Sequence, residues 1–105
     1  MNKVFLYKNG ELVLEKTGTK ENNNLLFENI VFDLNLMVLT REDDNFKYVL
    51  DFKNESALFL IKENNYSLNI KINVLSLIEG VGYIEIKYNI ESEELIENKI
   101  IINYV

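Results

Sequence analysis

Residues Tyr66 to Val74 read YSLNIKINV, and every second position is apolar: Tyr66, Leu68, Ile70, Ile72 and Val74 share one phase, Ser67, Asn69, Lys71 and Asn73 the other. Side chains of an extended chain alternate between two faces, so this stretch is a strand with one face in a dry interior and one in water. A helix would place its apolar residues three and four apart. The two-residue period recurs at Ile84, Ile86, Tyr88 and Ile90, alternating with Glu85, Lys87, Asn89 and Glu91, and again at Ile100, Ile102 and Tyr104. After Val74 the apolar phase slips to Leu75 and Leu77, the mark of a bulge or bend that turns a corner.

Upstream, KVFLYKNGELVLEK carries Asn9-Gly10 between two apolar runs. Both central residues of a type I′ turn need positive φ, so this dipeptide predicts a hairpin pairing Lys8 with Glu11 and Leu6 with Val13. The stretch NIVFDLNLMVLTR either alternates through Phe32, Leu34, Leu36 and Val38 or breaks at Asp33 to Asn35 into two short strands. KYVLDF and ALFLI supply two more strands, bounded by the turn-rich KNES and KENN, and Gly80 and Gly82 fit a hairpin into the Tyr83 strand. In ESEELIENK acids come early and Lys99 late, the order a helix dipole prefers. With no apolar face it reads as an acidic loop. No proline interrupts any ladder.

The expectation is an all-β chain of about eight strands in one domain, residues 1–105. Short antiparallel strands bury one face by closing into a barrel or, alternatively, by packing as a β-sandwich. A length of 105 residues suits a single core. Apolar residues at 48% and charged residues at 27% fit ordinary globular usage rather than disorder. Cysteine is absent, so apolar burial and backbone pairing must hold the fold. The many asparagines read as the imprint of an AT-rich genome. An apolar run long enough for a membrane helix is missing, and the opening residues interrupt any signal peptide with a turn and charges, which makes the cytoplasm the expected address. A net charge of −6, from 17 acidic and 11 basic residues, argues against nucleic acid and against an anionic membrane surface as partners.

Without histidine or cysteine the commonest general base, transition-metal ligand and soft nucleophile are missing. Ser56, Ser67, Ser76 and Ser92 stand outside any G-x-S-x-G turn, and the scattered glycines form no phosphate loop. Neither enzymatic activity nor a cofactor or metal is expected. Paired carboxylates remain as a catalytic route, with Asp33, Asp51, Glu85 and Glu91 as the candidates, but all four lie in the polar phase of their strands. Glu42 to Asn45 could offer oxygen ligands to calcium but lacks the spacing of a calcium loop and reads as a charged turn, as does Glu91 to Glu94.

The candidates for ligand binding are Arg41, Tyr48, Tyr66 and Tyr88. Arg41 is the only arginine and ends an apolar strand. It either greets an anionic head at one barrel mouth or packs its stem on Phe46 or Tyr48 with its charge paired to a neighbouring acid. The tyrosines either line an apolar cavity or belong to the core.

Four segments in order, MVLTR with Arg41, NNYSLNIKINV, GYIEIKYNI with Tyr88 and ENKIIINYV, resemble the YwiB-like family, a bacterial domain of unknown function with a calycin-like, lipocalin-like barrel. The resemblance covers about the C-terminal two thirds. Family members often follow the arginine with a small residue and glycine, where this chain has Glu42, Asp43 and Asp44, and they tend to have glycine where it has Asn65. The resemblance implies a fold and no reaction. The resulting expectation is a non-enzymatic protein that takes a small, partly apolar molecule in its barrel mouth. The alternative is a protein-interaction or inhibitor module using a strand edge and an acidic surface.

Overall fold

In the computed structural model, which describes Met1–Val105, ten antiparallel strands close into one barrel. They are β1 (Asn2–Lys8), β2 (Glu11–Glu21), β3 (Asn24–Phe27), β4 (Ile30–Asp33), β5 (Val38–Glu42), β6 (Phe46–Asp51), β7 (Ser56–Ile61), β8 (Tyr66–Gly80), β9 (Tyr83–Ile90) and β10 (Glu93–Asn103). Each strand pairs with its neighbours in sequence, and β1 pairs with β10 to close the ring. The sandwich is thereby set aside.

The strand count is ten rather than about eight for local reasons. β3 has four residues, too few to display a period. The stretch 30–42 takes the turn option, dividing at Leu34–Met37 into β4 and β5. The expected acidic loop is instead the start of β10; its pairing with β9 breaks between Glu93 and Asn98, so that Glu94 to Glu97 oppose only Asn89. Lys8 does pair with Glu11, but Leu6 pairs with Leu14 rather than Val13, because the register slips between Leu6 and Tyr7. The slip expected after Val74 is present and leaves Leu75 without a partner on β9.

Two strands pass from one sheet to another and make the corners. β2 pairs with β1 through Gly18 and with β3 from Thr19 onward, while β8 pairs with β7 through Lys71 and with β9 from Ile72 onward. At the first corner the chains approach so closely that a Cβ on Gly18 would stand 2.6 Å from Phe27 Cδ1 and collide with the Leu26 carbonyl. At the second corner Glu55 replaces the lost ladder: its carbonyl accepts the Ile72 N–H at 3.2 Å and its carboxylate the Val74 N–H at 3.1 Å.

The turns use specific chemistry, and the asparagines are not background. Asn9, Asn22 and Asn65 adopt positive φ, as do Gly10 and Gly82; Asn65 thus serves the geometry glycine would. Asp33, Asp43 and Asp51 each accept two backbone N–H groups, from the second and third residues after them, at 2.7–3.2 Å. Hydrogen bonds from Asn54 and Lys53, with the Lys53 charge, outweigh desolvation at Asp51 and lower its pKa; N–H bonds from Phe46 and Asn45 lower that of Asp43.

The core draws on nearly every strand of the ring. A wider ring needs more filling than an eight-stranded one. Phe27, Phe32, Leu25, Ile30, Leu39 and Ile72 are fully or almost fully buried, as are Ile84, Ile86, Ile100 and Ile102, and at one end Met37 and Phe52 fold in from the β4–β5 and β6–β7 turns as a plug, joined by the Phe52 N–H to Met37 carbonyl bond at 3.1 Å. No helix is long and apolar enough to cross a membrane.

Candidate binding site at the barrel mouth

Directly opposed residues of paired strands share a face, so the registers trace rows around the interior. One row runs Ile30, Arg41, Tyr48, Phe59, Leu68 across β4 to β8. Ile30 is fully buried, which places Arg41 on the inward face. A second row runs Lys8, Asn98, Tyr88, Val74 across β1, β10, β9 and β8. Both rows lie towards the end opposite the plug, where the interior is open. The inward phase that carries Ile72 into the core carries Leu68 and Tyr66 out to this rim, and they are 45% and 52% exposed.

Two hollows occupy the mouth. The first, of about 260 Å³, lies between the two rows: Arg41, Tyr48, Tyr88, Lys8 and Asn98 line it, on a floor that includes Leu6 and Ile100. Its lining includes three cationic residues, Lys8, Arg41 and Lys99, and no acid, in a chain with 17 acids to 11 bases. Lys99 is already engaged, its ammonium 4.6 Å from the centre of the Tyr7 ring. The second hollow, of about 300 Å³, is apolar: Phe59, Ile61, Leu68, Ile70 and Ile90 line it, with Tyr66 and Glu93. The two hollows draw on one row, in which Tyr48 of the first pairs with Phe59 of the second, their ring centres 5.5 Å apart.

Arg41 forms no ion pair; Glu42 beside it turns to Lys62 at 2.8 Å, so the expected pairing of the arginine with a neighbouring acid is not made. Asp43 feels the guanidinium charge without touching it. Arg41 Nη1 donates a long bond to the Tyr48 hydroxyl at 3.4 Å, while its Nε is buried without a partner. A buried, unpaired donor costs about 1–3 kcal/mol, more for a charged group. Packing holds the tyrosines: Tyr48 stacks on Phe46 at 5.9 Å and Tyr88 meets Phe52 edge-on at 5.4 Å. Burial, with a smaller contribution from Tyr48, pushes the Tyr88 phenol far above its ordinary range, so Tyr88 presents a neutral hydroxyl.

Of the four residues singled out from sequence, Arg41, Tyr48 and Tyr88 come together in the first hollow and Tyr66 lines the second. Sequence reasoning missed Lys8 and Asn98. Lys8 shares the phase of Val4 and Leu6 and could have been found; Asn98 follows the register break of β10 and could not. The candidate carboxylates are dispersed: Asp33 and Asp51 hold turns, Glu85 accepts the Tyr83 hydroxyl at 3.2 Å, and neither hollow contains two acids. No group of three or more acidic side chains gathers where a metal ion could be held.

Comparisons with protein-family models, with curated proteins and with solved structures find no match.

Proposed function

We propose that the chain is a non-enzymatic binding protein of calycin-like type, kin to the YwiB-like domains and acting in the cytoplasm, that takes one small, partly apolar molecule in its barrel mouth. The observation that carries this reading is the apolar hollow at the rim, where Leu68 and Tyr66 occupy the inward phase yet remain about half exposed. A barrel that served only as a solid scaffold would fill that end as it fills the other, since each buried aliphatic side chain contributes about 1.5–3 kcal/mol. Concave, mostly apolar openings with a few convergent polar groups are the usual form of small-molecule sites. The test is titration with Nile red, an uncharged fluorescent probe. Saturable binding of one equivalent is expected, and a linear, unsaturable signal removes the reading.

A second reading has one observation in its favour. Beyond Val74, β8 pairs only with β9, and Leu75, Ile78 and Val81 are exposed along this hairpin. Such an edge suits an interaction module that adds a partner's strand. Recovery of a stoichiometric protein partner from native lysate, lost on Ile78→Lys, favours it over the small-molecule reading.

A further inference from the structure

Granting the mouth as a small-molecule site, we infer that its occupant is an amphipathic monocarboxylate, with its head on Arg41 in the first hollow and its hydrocarbon tail in the second.

The sign of the head follows from charge placement. An acidic chain of net charge −6 has assembled a hollow whose lining includes cations and no acid. The mouth is polarised, because the single acid of the neighbouring hollow, Glu93, lies on the tail side. An anionic head is drawn to Arg41 and repelled from Glu93, which fixes the orientation.

The identity of the head follows from donor geometry. Arg41 Nε–H is buried without a partner, and Nη1 makes only the 3.4 Å contact to Tyr48. Nε–H and the Nη2–H on the same side of the guanidinium, which makes no hydrogen bond within the chain, form the planar fork that a carboxylate meets with both oxygens. Lys8 and Arg41 are the cations left uncommitted, and the Tyr48 and Tyr88 hydroxyls and the Asn98 amide supply neutral contacts. The planar Arg41 fork meets the two coplanar oxygens of a carboxylate, and Lys8, exposed to solvent, adds only a screened charge.

The tail follows from size and contact. The apolar hollow of about 300 Å³ holds roughly ten groups the size of a water molecule, at about 30 Å³ each. Methylenes are of similar size, so a chain of about ten carbons fits. The Tyr48–Phe59 contact at 5.5 Å marks the passage from head to tail.

The experiment is calorimetric titration of the purified full chain with decanoate, decanol and decyl phosphate at neutral pH, on the wild type and on Arg41→Met and Lys8→Gln. The expected result is decanoate binding at least about tenfold tighter than decanol, the ratio a charge-assisted pair of hydrogen bonds produces. Arg41→Met should abolish that preference, bringing decanoate down to the affinity of decanol for the same variant, and the exposed Lys8→Gln should weaken decanoate about twofold to threefold. Equal affinity for decanoate and decanol overturns the inference and leaves the mouth as a binding site. Decyl phosphate binding more tightly than decanoate overturns the choice of carboxylate. Failure of all three to bind removes both this inference and the reading beneath it. If Arg41→Met does not fold, the wild-type ratio and Lys8→Gln still decide.

Discussion

Asn9 and Glu97 bind each other twice: the Asn9 N–H donates to the Glu97 carbonyl at 2.8 Å, and the Glu97 N–H donates to Asn9 Oδ1 at 2.9 Å. The turn of the first hairpin is thereby tied to the last strand, 88 residues away, at the point where β10 has left its register with β9. Asn9 also carries a φ of 50°. Asn9→Ala removes the side-chain bond and strains the backbone, and should cost about 1–2 kcal/mol. Asn9→Gly keeps the backbone and should cost less. Urea unfolding of both variants checks the order; equal losses would mean that the left-handed conformation is not what asparagine supplies.

Gly18→Ala should be among the most damaging single-methyl changes in the chain. Its Cβ meets the Leu26 carbonyl and the Phe27 ring at the β2 corner, where backbone cannot yield cheaply, and a loss of about 3 kcal/mol is expected for such overpacking. Gly80→Ala is the control. There the nearest atom lies at an ordinary 3.8 Å, so the melting temperature should be unchanged or slightly raised.

Acid should unfold the barrel through its turns. Asp43 and Asp51 have folded-state pKa values below the ordinary 3.8, so the unfolded chain takes up their protons first. Their stabilisation is therefore complete above about pH 4 to 5 and lost as the pH falls through the folded-state values. In Asp43→Asn/Asp51→Asn the side-chain oxygens still accept the turn N–H groups. The fall in urea midpoint between pH 5 and pH 2 should then be shallower than in the wild type, and an equal slope would place the acid sensitivity elsewhere.

Leu68→Asp should separate binding from folding. Leu68 lines the apolar hollow and is 45% exposed, so its replacement should cost no more than about 1 kcal/mol while weakening Nile red at least tenfold by setting a charge in the tail hollow. Unchanged probe affinity in a folded variant would place the probe outside the mouth.

Several features were legible along the chain because they are local. The alternation at Ile84, Ile86 and Tyr88 names their shared face, and all three lie inward: Ile84 and Ile86 are buried and Tyr88 packs against the core. Asn9-Gly10 names its turn. The phase slip at Leu75 names its bulge. Arg41 stood out as the lone arginine, and it does reach the mouth. β3 was not legible, since Asn24–Phe27 is strand only because β2 and β4 flank it. Nor was the start of β10, where an acidic sequence without a period is held extended by β9 at Glu93 and by Asn9 at Glu97.

That the chain is built of strands with one dry face could be read along the chain, because alternation is a property of each strand alone. Long-range pairing sets the rest: ten strands close the ring, Met37 and Phe52 plug one end, and Lys8, Arg41, Tyr48 and Tyr88 meet at the other. The reason is physical. Which inward residues are buried and which open to solvent depends on how many strands share the interior and on where the corners fall, and both are set by contacts between residues distant in the chain.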